Sequence, residues 1–400
     1  MKKFTNLKLI KILIPLILST VIIILSFFDN LWISLWHSVS VPATFPPFDD
    51  SLAINRGLQY KIQGLNPYTS NPNDPFNYPS VWLSVYSFLD LNNFFKFKTF
   101  NFIVLYSYFF ILLDFFLKNN NKYFYFIFII FILSTSNFLI IERLNLEIVI
   151  FCFLYVAIIN SNYLIKSIFF LLSFILKIHP IFSIFIFINN KKYFLPILLL
   201  SLIYLILMRE EVSIMRNNMI EFALIFAYGV GSIAKAIYYY SEEFNYFINK
   251  DNYSLFRNIL VLITGIYATL IVLSKFRLNQ QSVGRSITLE EKLYLCGSGI
   301  FIGTFITSSS VDYRLLYLIF TVPLLLQYNN KKIILTYFMC LIFCFNSLHF
   351  EGGNSYSLIY FVKASIIYFF KFIIFSINCY YLGVVLNKFV DKSFLNFKLK

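Results

Sequence analysis

The sequence predicts an all-α polytopic membrane protein, and three of its features lead to that prediction. Hydrophobic residues make up 59% of the 400 residues and charged residues 13%, about half the charged share of a typical soluble domain. Several apolar runs approach the roughly 20 residues that a membrane-spanning helix needs. Short clusters of Lys and Arg lie between these runs, as they do in cytoplasmic loops of membrane proteins. We therefore expect one transmembrane domain over 1–400.

The apolar runs predict about twelve transmembrane helices, with a range of about ten to thirteen because several runs are short. The aromatic stretch after Tyr78 and the run 219–240 are further apolar segments, and we interpret both as interfacial or re-entrant. The predicted spans are 9–28, 99–117, 123–141, 145–160, 163–178, 180–189, 193–208, 254–275, 291–308, 314–328, 332–349 and 359–386.

Positive charge predicts the orientation of these spans. Lys2, Lys3, Lys8 and Lys11 place the amino terminus in the cytoplasm, and the apolar run after them is expected to be an uncleaved signal anchor. Alternate loops then carry the remaining clusters, and the last cluster places the carboxyl terminus in the cytoplasm as well. These clusters contain Lys118, Lys122, Lys166, Lys191, Lys192, Lys275, Arg277, Arg285, Lys292, Lys331, Lys332, Lys388, Lys392, Lys398 and Lys400. We expect the chain in the cell (inner) membrane.

The same topology collects the other ionisable residues on the extracytoplasmic face. That face receives a long first loop, 29–98, which we expect to contain short interfacial helices, and a second segment, 209–253. It also receives four short corners, at 142–147, 177–180, 308–314 and 349–356. The net charge of +14 is accounted for by topology signals, so nucleic-acid binding is not expected.

Asp49 and Asp50 are the candidate catalytic residues. One of them could cap a helix starting near Ser51, since Asp is favoured at the N-cap. The other would then serve as a general base, because an apolar environment raises a carboxylate pKa toward the working pH. Asp74 is a rival carboxylate, but it lies among Asn and Pro residues that favour turns.

Residues around two turns of the first loop are candidates for the wall of a pocket, which the resemblance described below would make the acceptor pocket. A Gly-Leu-Asn-Pro-Tyr turn contains Asn66 and Tyr68, and Tyr78 precedes a Pro that we expect in the first turn of a helix. Arg56 of the first loop and Asn145 of the later corner complete the candidate set.

Cations of three later corners are candidates for binding a phosphate group. Arg143 could form forked hydrogen bonds to phosphate oxygens, or it could pair with a neighbouring Glu. Lys177 and His179 end an apolar run, where Lys often only reaches the headgroups. Arg314 opens a predicted helix and could instead pair with Asp312.

Motifs of several other enzyme classes do not occur in the sequence. It contains no Walker loop, dinucleotide-binding glycine pattern, HExxH or Gly-x-Ser-x-Gly motif. The five Cys lie in apolar runs without neighbouring His or carboxylate residues, so they predict no metal site.

The order of these motifs resembles the C-type superfold of integral-membrane glycosyltransferases. A single amino-terminal span is followed by an acidic residue in the outer loop, then G-x-N-P-Y and Y-P. The later ERLNLE, LKIHP and VDYR segments resemble the polyprenol-phosphate-mannose-dependent branch. The resemblance extends to about residue 330. Two departures, Tyr-Pro-Ser and Glu-Arg-Leu-Asn, bear on the acceptor more than on the fold.

This resemblance implies a polyprenyl-phosphate sugar as donor and a glycolipid or glycan hydroxyl as acceptor, outside the cytoplasm. Asp50 would act as the base, with Asp49 as the alternative, and one base fits an inverting single displacement. Arg143, Lys177, His179 and Arg314 would bind the donor phosphate. No cofactor is implied besides this lipid-linked substrate, and the need for a metal is left open. The sugar would be a hexose similar to mannose.

Two other classes of protein stay open at the level of sequence. A polysaccharide polymerase or O-antigen ligase also has about twelve spans, but usually places its large outer loop late. A non-enzymatic lipid or solute transporter would carry inverted repeats and ionisable residues at mid-membrane.

Overall fold

The computed structural model describes residues 2–70, 76–119, 121–218, 227–243, 250–275, 287–307, 309–328, 330–350 and 358–389. It divides into two compact units. The first contains 1–180 and 197–220, and the second contains 181–196 and 221–400. Each unit is described by itself below, and the expectation of one transmembrane domain over 1–400 stays a prediction.

The first unit consists of helices. They are α1 (Lys2–Leu25), α2 (Asp29–Ser38), α3 (Asp49–Ile62), α4 (Val81–Phe88), α5 (Phe94–Lys118), α6 (Lys122–Ile132), α7 (Thr135–Arg143), α8 (Glu147–Ile159), α9 (Tyr163–Leu176), α10 (Lys191–Leu207, from Ile197 onward) and α11 (Arg209–Asn218). Helices α2, α3 and α4 are the short helices expected in the first loop.

The second unit contains helices and one short antiparallel strand pair. Its elements are β1 (Ala227–Tyr228), α12 (Val230–Glu243), α13 (Lys250–Lys275), α14 (Leu289–Thr307), β2 (Ser310–Val311), α15 (Val322–Leu325), α16 (Lys331–Phe345), α17 (Leu358–Asn387) and 3₁₀ helices at His179–Phe187 (from Ile181 onward), Asp312–Thr321 and Ser347–Phe350. Strand residue Ala227 pairs with Val311, and Tyr228 with Ser310.

Each predicted span corresponds to a helical segment, and the all-α prediction is confirmed. Among the described residues, four helices are long and apolar enough to cross a membrane, within α1, α5, α13 and α17. A bent pair, α6 with α7, would make a fifth. The helices α8 and α9 are apolar but shorter. Membrane-spanning character is thus supported, whereas twelve spans and their orientation stay predictions.

Two predicted spans differ from the sequence-based expectation in a way that matters for the site. The span 123–141 is two helices with a 50° bend, because Ser134 caps α7 by accepting the Asn137 N–H. The α7 helix then ends at Arg143, and its C-cap residue Leu144 has a left-handed backbone with φ of 43°. The bend and this termination place a polar corner, 142–147, at the end of the apolar pair. The span 180–189 is largely a 3₁₀ helix.

The predicted turn after α3 is present. Gly64 has a φ of +74° with nothing close to the position of an added Cβ, so its backbone conformation is what favours glycine there. Pro79 was expected in the first turn of the next helix, but α4 begins at Val81 with Ser80 as its N-cap residue.

Asp74 and the segments 219–226, 276–286 and 351–357 lie outside the described residues.

Candidate active site

The adjacent carboxylates open helix α3. The helix begins at Asp49, and its N-cap residue is Phe48, with a φ of 69° and no side-chain cap. The expectation that one Asp caps a helix near Ser51 is therefore wrong, because both carboxylates lie inside the first turn. Exposed N–H groups and the helix dipole favour negative charge at this position.

Asp49 is bound by two guanidinium groups. Arg143 Nη1 lies 2.8 Å from Asp49 Oδ2, and Arg56 Nη2 lies 3.1 Å from Asp49 Oδ1. Arg143 also contacts the buried Glu142 through Nε at 3.2 Å. Each oxygen of Asp49 thus faces a cation, and the contact with Arg143 joins α3 to the end of α7.

Asp50 lies in a different environment from its neighbour. Its Oδ2 accepts a short hydrogen bond from Asn145 Nδ2, the one hydrogen-bond donor to this carboxylate among the residues described. Burial raises the pKa of Asp50 above its ordinary value, and the Asp49 charge adds to this. The Arg143 and Lys177 charges and the Asn145 hydrogen bond only partly oppose the increase in pKa. Asp50 is therefore suited to accept a proton.

The orientation of Asn145 is determined by its own partners. Its Oδ1 accepts the backbone N–H of Glu147 at 2.9 Å and the ammonium of Lys177 at 3.4 Å. Because the oxygen is engaged by two donors, the amide nitrogen faces Asp50. Asn145, expected as part of an acceptor pocket, thus contacts the proposed base directly.

Lys177 and His179 meet the same carboxylate. Lys177 Nζ lies 2.8 Å from Glu147 Oε1, and His179 Nε2 lies 3.1 Å from Glu147 Oε2. Glu147 is completely buried, and Lys177 is the C-cap residue of α9. The two basic side chains are therefore held together at a single carboxylate, next to Asn145.

The two turns of the first loop meet near this lysine. The ring of Tyr78 lies 5.5 Å from Lys177 Nζ, and Tyr68 donates its O–H to the Tyr78 carbonyl oxygen at 3.2 Å. Trp82 Nε1 donates to the Leu176 carbonyl oxygen at 2.9 Å, which fastens α4 to the end of α9. Tyr68 and Tyr78 therefore form a wall beside Lys177.

Asn66 has a more local role than the predicted one. It is exposed, and its Oδ1 accepts the N–H of Tyr68 at 2.9 Å. Asn66 shapes the turn that presents Tyr68.

Glu211 contributes to the same wall and was not among the predicted site residues. Its carboxylate accepts the N–H of Ser80 at 2.7 Å and the Ser80 hydroxyl at 2.8 Å. Burial and the nearby Glu211 charge raise the pKa of Tyr68. These hydrogen bonds attach helix α11 to the start of α4. In the sequence, the adjacent acidic residues Glu210 and Glu211 could have marked this segment as a further candidate.

Arg314 lies in the second unit, where its Nη1 donates to Ser310 Oγ at 2.8 Å. The suggested pairing of Asp312 with Arg314 is wrong, since both Asp312 oxygens lie 2.9 Å from the Lys371 ammonium. Lys371 was missed, although a charged residue inside the last apolar run is unusual enough to notice. Among the described residues, no group of three His, Cys, Asp or Glu side chains is arranged to hold a metal ion.

No known family model, curated protein or solved structure matches this chain. The candidate site is therefore defined by its own side-chain contacts in the first unit. Within the first unit, these bring together seven of the predicted residues in one chain of interactions, running through Arg56, Asp49, Arg143, Asp50, Asn145, Lys177 and His179.

Proposed function

We propose that this chain is a membrane glycosyltransferase that moves a mannose-like hexose from a polyprenyl-phosphate donor to an acceptor hydroxyl. The acceptor would be a glycolipid or glycan on the extracytoplasmic face. The observation that carries the proposal is the unequal environment of two adjacent carboxylates: Asp49 is neutralised by two guanidinium groups, whereas Asp50 has one neutral donor and a raised pKa. Such a division separates a structural anion from a base.

The base would act by a single displacement. Asp50 takes the proton of the acceptor hydroxyl while that oxygen forms a bond to the anomeric carbon of the donor sugar. The bond from the anomeric carbon to the phosphate oxygen breaks, and its electron pair stays with the phosphate. Because one nucleophile attacks opposite one leaving group, the configuration at the anomeric carbon inverts.

The cations would stabilise the departing phosphate. Arg143 and Lys177 each already pair with a carboxylate, Asp49 or Glu147, and these contacts hold both side chains near Asp50. A donor phosphate would bind by sharing or replacing these partners, and its growing charge would strengthen the contacts as the bond breaks. His179 would assist from the other oxygen of Glu147.

A transfer assay with Asp50→Asn tests the assignment. The full-length chain in proteoliposomes would receive radiolabelled polyprenyl-phosphate mannose or glucose, with a membrane glycolipid extract as acceptor. Loss of the base should reduce transfer by about 10² to 10⁴-fold. Asp90→Asn is the matched control, since Asp90 is an exposed carboxylate of the same unit paired with Lys96, and its transfer should stay at the wild-type rate.

Three outcomes would contradict the proposal. Undiminished transfer by Asp50→Asn would remove Asp50 as the base. Wild-type protein that moves labelled lipid between leaflets without transferring sugar would indicate a transporter. Products extended by many repeating units would indicate a polymerase.

A further inference from the structure

An exposed cluster of aromatic rings lies where α1 ends and α5 begins. Phe94 and Phe95 expose 54% and 78% of their surface, an exposure that water-soluble surfaces rarely tolerate over several neighbouring large apolar side chains. The rings of Phe27 and Phe94 are 6.1 Å apart, and those of Phe94 and Phe95 are 5.7 Å apart. We call Phe27, Phe94 and Phe95 the ring cluster.

Lys98 connects the ring cluster to the start of the site helix. Its ammonium donates to Ser26 Oγ at 2.8 Å and lies 4.8 Å from the Phe27 ring and 5.7 Å from the Phe94 ring. It also lies 5.3 Å from the ring of Phe48, the N-cap residue of α3. Lysine with an apolar stem and a polar head among aromatic rings is typical of the boundary between water and hydrocarbon.

A second charged cluster marks the other end of the same two helices. Asp114 on α5 binds Lys11 of α1 at 2.8 Å and Lys118 at 2.7 Å. Lys98 and Asp114 are sixteen residues apart on α5, about 24 Å of helix. This separation approaches the roughly 30 Å of a hydrocarbon layer, and α1 and α5 are each long and apolar enough to span it.

The proposed reaction centre lies at the level of Lys98. Phe48 directly precedes Asp49 and Asp50, and Ser51 Oγ donates to Asn101 Oδ1 at 3.1 Å. Lys98 and Asn101 are neighbours on α5, less than one helical turn, about 5 Å, apart. The first turn of α3 therefore lies within about one turn of the ring cluster along α5.

We propose that the ring cluster inserts into the headgroup–acyl boundary of one phospholipid leaflet, and that Asp49 and Asp50 lie at this depth. The inference stands on the contacts of α1, α3 and α5, and it does not depend on the reaction being sugar transfer.

Nitroxide labels at single introduced cysteines test the depth. The full chain would be placed in phosphatidylcholine–phosphatidylglycerol vesicles, and collision rates with oxygen and with a water-soluble nickel chelate would be measured. Phe95→Cys reports the ring cluster. Thr44→Cys reports the site, since Thr44 is exposed and its N–H lies 3.2 Å from Glu142 Oε1. The five native cysteines are free and buried, and labelling of the wild type measures their background.

Two matched positions calibrate the measurement. Ile103→Cys, exposed on α5 between the two charged clusters, represents hydrocarbon. Ser161→Cys represents water, because it follows α8, which passes the Asp114 cluster where Tyr155 O–H donates to Asp114 at 2.8 Å. We expect the nickel collision rates at Phe95 and Thr44 to be at least threefold lower than the rate at Ser161. The rate at Thr44 should be higher than the rate at Ile103.

Contrary results are distinct from one another. If the nickel collision rate at Phe95 equals that at Ser161, the ring cluster does not insert into the membrane. If the rate at Thr44 equals that at Ser161, the site does not lie at the depth of the ring cluster. Spin–spin broadening at Phe95 that disappears on dilution with unlabelled protein would show a second copy covering the rings instead. Sugar transfer is not measured, so failure of the proposed reaction would leave these results unchanged.

Discussion

The two units each contain a cluster of acidic and basic side chains. The clusters differ in their exposure to solvent and in how completely each carboxylate is paired with a cation. In the second unit, Asp312 and Lys371 are completely buried, with the ammonium 2.9 Å from both carboxylate oxygens. Lys371 also donates to the Ala227 carbonyl oxygen at 2.8 Å, and Ser347 donates to Asp312. This closed set joins β1, α17 and two 3₁₀ helices.

The cluster of the first unit is open and unequal. Asp49 and Arg143 expose 32% and 25% of their side chains. Among the residues that the structure describes, adjacent Asp50 has one hydrogen-bond donor, the neutral amide of Asn145. A buried pair of opposite charges functions as a cross-link, because separating the charges leaves one uncompensated. An open cluster that leaves one carboxylate with a raised pKa can exchange protons and partners with a substrate. This difference supports the proposal that the Asp49–Asp50 site carries the reaction, whereas the Asp312–Lys371 pair stabilises the fold.

The largest effect is expected from breaking the closed pair. Lys371→Met leaves Asp312 buried without its counter-charge and should destabilise the fold by about 3–5 kcal/mol. Thermal unfolding of the purified chain in detergent measures this. Lys96→Met is the matched control, since Lys96 pairs with Asp90 at an exposed position and should cost no more than about 1 kcal/mol. Equal effects of the two changes would remove the distinction between the clusters.

Asn145→Ala should affect turnover more than stability. The change removes the donor to Asp50 Oδ2 and the acceptor of Lys177, so the proposed base loses its orientation. We expect the transfer rate to fall by about ten- to a hundredfold, below the contribution of the base itself. Asn92→Ala, which removes an exposed amide bonded to Gln59, should keep the wild-type rate. A change in donor KM alone would show that Asn145 binds substrate without positioning the base.

The pH dependence of transfer gives a third comparison. A base must be deprotonated, so the rate should rise with pH through the pKa of Asp50, and burial places this rise above the ordinary range of a carboxylate. The Arg143 charge lowers the pKa of Asp50. Arg143→Gln should therefore move the acid limb of the pH–rate profile to higher pH. A limb that stays or moves to lower pH would contradict the assignment of Asp50.

The same shift predicts how Asp50 affects stability. A carboxyl whose pKa is raised in the folded state stabilises the fold at low pH, and this contribution disappears as pH rises through the folded pKa. At neutral pH, Asp50→Asn should therefore unfold at the wild-type temperature or slightly above it. A lower unfolding temperature would indicate that Asp50, like Asp312, mainly holds the fold together.

The smallest effect is expected at Arg56. Its side chain is 40% exposed and is the second cation on Asp49, so Arg143 still neutralises that carboxylate in Arg56→Gln. We expect a loss of stability below about 1 kcal/mol and a change in transfer of less than about fivefold. A larger loss than in Arg143→Gln, measured in the same assay, would make Arg56 the principal partner of Asp49.

The sequence by itself determined the class of the fold and the corners of the chain where ionisable residues lie. Apolar runs predicted helices that the structure has, and the polar corner after α7 and the Lys177 corner were recognised because charges interrupt those runs. Hydrophobic periodicity and charge clusters are local properties, so they can be observed without coordinates.

Only the tertiary structure decided the partners. Asp49 pairs with Arg143 across 94 positions of sequence, Glu211 binds Ser80 across 131, and Asp312 pairs with Lys371 rather than with nearby Arg314. The sequence left open whether Asp49 or Asp50 would be the base, and only the tertiary structure shows that the guanidinium groups of Arg56 and Arg143 contact Asp49. An ion pair has no preferred separation along the chain, because its geometry follows from how the helices pack.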